Sequence, residues 1–233
     1  MRNKFMVSYV VASMAALTVT AASWAAPGGA APSGGSMDMP MPQRTPQEIA
    51  KQAYNTGIKH LKDATEHEED AAKATEPKKI AKAREKTAKS YQKALKEFTT
   101  ATTKVPSMYE AWNYVGFTQR HLGDYKSSLA AYAKALELKP NYPEAIEYRG
   151  EAYLGLNQIE DAKAAYMTLF GNSRPLADQL MAAMQQWVSE RRANAAGVVS
   201  DDIEKFAQWI AERATIAQQT ASLAVDAPRT TWN

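Results

Sequence analysis

The chain contains no cysteine among its 233 residues. This absence excludes disulfide bonds, thiolate nucleophiles, cysteine-ligated zinc, iron–sulfur clusters and the lipid attachment of bacterial lipoproteins. An oxidising compartment is still permitted, but stability there has to come from packing alone. The sequence therefore describes a protein held together by its core, without covalent crosslinks.

Motifs of catalysis are also lacking. The chain has no glycine-rich phosphate loop, no Gly-x-Ser-x-Gly turn and no dinucleotide-binding fingerprint. Its three histidines are His60, His67 and His121, and no second histidine follows His67 one helical turn later, as a zinc-protease helix requires. His60 and His67 lie two turns apart on one predicted helix, so a weak metal site is an alternative to two solvated side chains. We expect a non-enzymatic protein with no cofactor and no metal site.

Excess charge is small. The formal net charge is +3, and Arg2 and Lys4 contribute two of those charges from a segment that we expect to be removed, which leaves 3 − 2 = +1. A balance so close to zero gives no electrostatic reason to expect a nucleic-acid partner.

Long hydrophobic runs are absent except near the amino terminus. Residues 1–25 have the pattern of a secretory signal peptide, with a basic start, an apolar run from Phe5 through Val19, and small residues at Ser23 and Ala25. A retained membrane anchor is the alternative, but the run is short for a bilayer core of ~30 Å and no basic stop-transfer patch comes after it. We expect cleavage and an exported bacterial protein, soluble in the periplasm, with no stable membrane span.

Residues 26–46 are rich in Pro, Gly, Ser and Met without apolar periodicity, which predicts a disordered linker. Within it, the segment Met37–Met41 carries three thioethers, which are soft ligands suited to Cu(I). This segment supports an alternative function, a periplasmic copper-handling protein. Because no histidine adjoins it, a low-complexity leader is the plainer interpretation.

What the chain does contain is an internal repeat between Tyr109 and Leu169. Two units succeed each other at a constant interval in the numbering, 150 − 116 = 34. The residues that correspond at this interval are Gly116 and Gly150, Tyr132 and Tyr166, and Ala135 and Leu169. A register kept at small and aromatic positions indicates a structural repeat of helical hairpins.

The same register extends backwards into a longer hairpin. Phe98 precedes Tyr132 by the repeat interval and Pro106 precedes Pro140 by the same interval, so residues 47–104 form a divergent, elongated first unit. Its second helix, 78–104, carries nine basic residues, and its first carries an acidic run at 66–70. We interpret this as a solvated hairpin whose helices attract each other; a basic face for an acidic partner or for anionic lipid is the alternative.

These positions resemble the tetratricopeptide repeat family. The residues that carry the resemblance are Trp112, Gly116, Leu122-Gly123-Asp124-Tyr125, Ser128, Tyr132, Ala135 and Pro140, and in the next unit Ile146, Gly150, Tyr153, Ala162 and Tyr166. The resemblance implies an all-α solenoid of helical hairpins over residues 47–174. Leu169 stands where the family has alanine, which predicts a looser fit to the helix after it.

Two further helices are predicted over residues 175–224, the second beginning at Ser200. Their apolar stripes include Leu180, Met184 and Trp187 in the first, and Ile203 and Phe206 in the second. Because stacked repeats require caps, we expect this pair to be a degenerate capping unit. Residues 225–233 are expected to be a flexible tail.

The resemblance also implies a binding surface, since the inward positions of first helices contact peptides in this family. Mapped onto this sequence, the candidate partner-binding residues are Asn113, Tyr114, Phe117, Arg120, Glu147, Tyr148, Glu151 and Leu154. The alternative is that Tyr114 and Tyr148 only cover neighbouring helices. The function expected is a scaffold that binds a peptide or protein of the cell envelope through this concave groove.

Overall fold

The computed structural model describes residues 44–226, with side chains through residue 220. All of the regular structure in this range is α-helical. The helices are α1 (Pro46–Lys73), α2 (Pro77–Lys104), α3 (Tyr109–His121), α4 (Tyr125–Leu138), α5 (Pro143–Gly155), α6 (Ile159–Asn172), α7 (Arg174–Ala193) and α8 (Ser200–Asp226).

The described range leaves several predictions outside it. The signal peptide at 1–25, the linker through residue 43 and the end of the tail at 227–233 are not described. At the carboxyl end α8 continues to Asp226, slightly beyond the helix end predicted at 224. Within the described part of the chain, no helix is both long and apolar enough to cross a membrane.

Consecutive helices pair into four hairpins, α1–α2, α3–α4, α5–α6 and α7–α8. The second helix of each hairpin also packs on the first helix of the next, and α5 lies beside both α3 and α7. Each hairpin therefore contacts only its neighbours in sequence, which is the arrangement of a solenoid. The predicted all-α solenoid fold is confirmed.

The turns depend on residues that end helices. Pro77 and Pro143 each occupy the first turn of a helix, where the missing amide hydrogen costs nothing. Between α3 and α4, Gly123 adopts φ +83, and Asn157 adopts φ 59 at the equivalent turn of the next unit. Asn is one of the few side chains that tolerate this left-handed region, so the same turn is made twice with different residues.

Close helix approach depends on glycine, as the repeat positions predicted. A Cβ atom on Gly116 would lie 2.6 Å from the ring of Tyr132, which is wholly buried. The first hairpin makes the same contact, because a Cβ on Gly57 would lie 2.7 Å from the ring of Phe98. Any side chain at these positions would overpack the interior of its hairpin.

These two contacts also measure the elongation of the first hairpin. The separation in the numbering is 98 − 57 = 41 for Gly57 and Phe98, but 132 − 116 = 16 for Gly116 and Tyr132. The difference, 41 − 16 = 25, is the insertion between the paired positions. Shared between two helices, the insertion lengthens each by roughly 12 residues, or about 18 Å at the rise of an α-helix. The α1–α2 hairpin therefore extends well beyond the ordinary repeat length.

The largest buried cluster lies at the other end of the solenoid, between α5, α6, α7 and α8. Leu169 is wholly buried in it, and Leu180 of α7 fills the space over Gly150, where a Cβ would lie 2.6 Å away. The looser fit predicted at Leu169 stays a prediction, although the Leu169 side chain itself is fully enclosed. Trp209, half-buried, packs on Tyr166 with ring centroids 5.6 Å apart.

Candidate functional site

The predicted groove residues lie on α3 and α5, which are adjacent, so the structure brings them together. It also buries most of them. The exposed fractions are 1% for Asn113, 5% for Phe117, 7% for Arg120, 2% for Glu147 and 1% for Leu154. Tyr114, Tyr148 and Glu151 are the ones that stay partly exposed. Partner binding by this set remains a prediction, and for the five buried residues it would require α3 and α5 to separate.

The reason for this burial is that the inward positions fill the seam between first helices. The Phe117 ring packs against Tyr148 of α5 at 5.0 Å and against His121 at 4.3 Å between centroids. Leu61 of α1 covers the same cluster from the other side. A family position alone says which way a side chain points, but the size of the neighbouring side chains decides whether water reaches it.

A charged cluster occupies the centre of this seam. The Arg120 guanidinium forms an ion pair with Glu151 and lies 5.4 Å from the Phe117 ring centre and 5.7 Å from that of Tyr148. Burial alone would lower the pKa of Arg120, but the Glu151 carboxylate, and after it Tyr132 and Glu147, raise this pKa overall, so the cation is retained. We call Arg120, Glu147 and Glu151 the buried charge cluster.

This cluster holds two carboxyl groups and one guanidinium. Burial, and then the neighbouring Glu151 carboxylate, raise the pKa of Glu147 well above its ordinary value of 4.5, while Arg120 opposes the rise. Ionising both carboxyls would leave one negative charge without a cation in a site that excludes water. Glu147 therefore holds its proton to higher pH than an ordinary glutamate, and it lies one helical turn from Glu151.

We expect Glu147→Gln to flatten the dependence of stability on pH. In the wild-type protein the folded state binds more protons than the unfolded state above pH 4.5, so the free energy of unfolding falls as pH rises through the folded-state pKa. Glutamine cannot ionise, so the variant avoids this loss and gains on the wild type with increasing pH. Urea unfolding over a pH series measures the effect. Glu137→Gln, at an exposed carboxyl, is the control; a parallel profile for Glu147→Gln would contradict the assignment.

A second polar contact, which the sequence did not predict, joins three helices beside the cluster. The Tyr91 hydroxyl of α2 donates to Glu68 of α1 at 2.9 Å, and the Tyr91 ring stacks on His121 of α3 at 4.6 Å. A ring nitrogen of His121 is 3.3 Å from the Arg120 guanidinium. Burial, and then the Arg120 cation, lower the pKa of His121 from 6.5. His121 therefore favours its neutral form and links the first hairpin to the buried charge cluster.

The accessible part of the first-helix face is a group of half-buried tyrosines and glutamates. We define the tyrosine–glutamate cluster as Tyr54, Tyr109, Glu110, Tyr114, Tyr142 and Glu144. Tyr54 and Tyr114 meet edge to face at 5.8 Å, and so do Tyr109 and Tyr142 at 5.0 Å. Burial raises the pKa of Tyr142, and so do the nearby charges of Glu144 and Glu110. The cluster is therefore aromatic and negatively charged.

Only Tyr114 of this cluster was predicted. One signal for the others was available in the sequence, because Glu110 and Glu144 are separated by the repeat interval. A cation already rests on the cluster, since the Lys139 ammonium lies 4.4 Å from the Tyr109 ring centre and 5.0 Å from that of Tyr142. These rings are thus placed to accept an ammonium group.

Metal chemistry has little support in the residues that the structure describes. They contain no group of three or more His, Cys, Asp or Glu side chains placed to hold an ion. His60 and His67 each lie near an acid of their own helix, Asp63 at 3.4 Å and Asp70 at 4.0 Å. The Met37–Met41 segment is outside the described residues, so the copper alternative is untested.

Four stacked hairpins with a shared first-helix face define a helical-repeat protein. A family model described as TPR repeat matches residues 118–157, from the last turn of α3 through α4 to the turn after α5. The match identifies a tetratricopeptide repeat within this chain. Repeats of this family commonly mediate protein–protein interaction and typically form non-enzymatic scaffolds. No curated protein matches the chain.

Proposed function

We propose that this chain is an exported, non-enzymatic scaffold that holds a protein segment of the cell envelope on its first-helix face, in the periplasm. The observation that supports the proposal is the tyrosine–glutamate cluster, which is the accessible aromatic surface shared by the first three hairpins. Tyrosine is enriched at protein interfaces because its ring is apolar and its hydroxyl still forms hydrogen bonds.

The charge of the cluster indicates the kind of segment that would bind. Glu110 and Glu144 repel an acidic peptide terminus and attract lysine or arginine. The contact that Lys139 makes with Tyr109 and Tyr142 supports this preference, because the two rings already hold an ammonium group of the chain itself. We therefore propose a partner segment with at least one basic residue beside an apolar or aromatic one, docked as a short peptide or helix.

Charge reversal on the cluster tests the surface. We expect Glu110→Lys with Glu144→Lys to abolish crosslinks that a photoreactive residue on α3 or α5 forms in intact cells of the native host. The matched control reverses two exposed glutamates elsewhere, Glu137→Lys with Glu160→Lys. Thermal melting of both proteins excludes unfolding as the cause. If the cluster variant keeps every crosslink of the wild type, the surface is wrongly assigned.

Export has its own test. In cell fractionation, the full chain should be recovered with periplasmic proteins, and a chain lacking residues 1–25 should stay in the cytoplasm. Equal distribution of the two would remove export from the proposal and leave the binding surface unaffected.

A further inference from the structure

The outer face of α2 carries an unusual row of lysines. We define the lysine row as the eight lysines of this helix, all exposed: Lys78, Lys79, Lys82, Lys86, Lys89, Lys93, Lys96 and Lys104. At the angular step of an α-helix, all eight fall within an arc of about 100°, outside the face that packs into the hairpin. From first to last, the row is about 39 Å long.

Most of this charge is not neutralised within the described part of the chain. There, only Lys79 and Lys89 of the row form ion pairs. Their partners are Glu76, which precedes the first residue of α2, and Glu85 of α2. Two acids of the α1 run have partners other than the row. Glu68 accepts from the Tyr91 hydroxyl of α2, and Glu69 pairs with Lys73 of α1. Asp70 of this run faces the row, because it lines a shallow cleft with Lys79, Lys82 and Lys86.

We propose that the lysine row docks the protein on the surface of an anionic lipid bilayer. A compact anion cannot neutralise the row, because about 39 Å is several times the screening length of ~8 Å at physiological ionic strength. An extended, flat array of negative charge matches a straight helix along its whole length. Anionic lipid surfaces attract basic segments in this way, residue by residue.

The chemistry of the row favours lipid over nucleic acid. Its cations are all ammonium groups, which act as point charges, whereas arginine and aromatic side chains are typical where phosphates and bases are recognised individually. Among the described residues, the exposed large apolar side chains are Leu138, Met167, Val199 and Ile216, and none belongs to α1 or α2. The row therefore adsorbs at the headgroups without inserting into the hydrocarbon.

Docking through α2 also sets an orientation. Glu110 and Glu144 give the tyrosine–glutamate cluster a negative charge, so an anionic bilayer repels that surface and attracts the row. The first-helix face would be left available to a partner while α2 holds the chain at the membrane. This inference does not depend on the proposed function, because the row and the cluster share no residue.

Vesicle flotation of the chain purified from its native host tests the proposal. Binding should increase with the fraction of phosphatidylglycerol in phosphatidylcholine vesicles and decrease with added NaCl, because exposed charges are screened. The test variant replaces four unpaired lysines of the row with glutamine, at Lys82, Lys86, Lys93 and Lys96. Each lysine near an anionic surface raises the partition coefficient about five-fold, so removing four lysines should lower it about 600-fold.

The matched control removes the same charge elsewhere, with glutamine at Lys51, Lys59, Lys62 and Lys126, all exposed. It should keep nearly all of the phosphatidylglycerol-dependent binding. The proposal is overturned if the row variant binds as the wild type does, or if both variants lose binding equally. Tighter binding to duplex DNA or to polyglutamate than to the anionic vesicles, at the same salt concentration, would also overturn it.

Discussion

Replacing Arg120 with methionine is expected to lower the free energy of unfolding by about 3–5 kcal/mol, the usual cost of removing one partner from a buried ion pair. Methionine preserves much of the volume, so the effect is electrostatic. Arg120 is the cation that faces Glu151 and Glu147, and Glu147 is 2% exposed. Without it, the Glu151 carboxylate has to be protonated or hydrated in the seam between α3 and α5. Urea unfolding monitored by circular dichroism measures the loss.

A triple variant separates charge from packing. Arg120→Met, Glu147→Leu and Glu151→Met together replace the buried charge cluster by apolar side chains of similar size. Such replacements are often neutral or stabilising, because no charge is left to desolvate. We expect the triple variant to be more stable than Arg120→Met alone. Equal losses in the two proteins would show that the arginine acts by its shape.

Comparing the stability of the triple variant with that of Arg120→Met indicates why the buried charges are present. A buried ion cluster is weak evidence for stability, but it can fix one alignment of two helices among several. Apolar side chains along the α3–α5 seam would pack in more than one register, whereas Arg120 reaches Glu151 in one. On this hypothesis the triple variant stays folded with a less uniquely packed first-helix face, visible as broadened side-chain resonances.

The helical repeat could be predicted from sequence because its determinants are local and periodic. Gly116, Tyr132 and Pro140 recur at a fixed interval, and each acts within its own hairpin through close approach, ring packing or a helix stop. The elongation of the first hairpin was predictable for the same reason, since Phe98 keeps the register. The sequence period therefore predicts the helical hairpins even when the side chains that pack on them are unknown.

Accessibility of the site could not be predicted in this way. Asn113, Phe117 and Glu147 occupy inward positions, and the sequence places them there correctly, but the structure encloses them. Enclosure depends on side chains from other helices, such as Leu61 of α1 and the ring of Tyr148. The contact between Glu68 and His121, whose side chains approach to 3.7 Å, was equally hidden, because the inserted residues decide which turn of α1 faces α3.

Truncating Trp187 to alanine is expected to cost about 3–5 kcal/mol, the range for deleting a buried aromatic side chain. Trp187 joins three helices at the carboxyl end of the solenoid. Its indole nitrogen donates to the Leu154 carbonyl of α5 at 2.8 Å, and its ring meets Phe206 of α8 edge to face at 5.6 Å. The substitution leaves a cavity in the largest buried cluster and removes one of the donors to the Leu154 carbonyl. Thermal and urea unfolding measure the loss.

Trp112 provides the matched control, because its ring is only half-buried and its indole nitrogen donates to the Pro106 carbonyl at an exposed site. Trp112→Ala should cost clearly less, since water can replace both the contact and the hydrogen bond. Trp187→Phe isolates the hydrogen bond: it keeps a ring against Phe206 and loses only the bond to Leu154. The loss should be about 1 kcal/mol, because the Leu154 carbonyl still accepts from the Asn157 amide at 3.1 Å. If the two alanine variants melt alike, Trp187 contributes no more stability than Trp112. That result would contradict the interpretation that α7 and α8 stabilise the repeats as a cap.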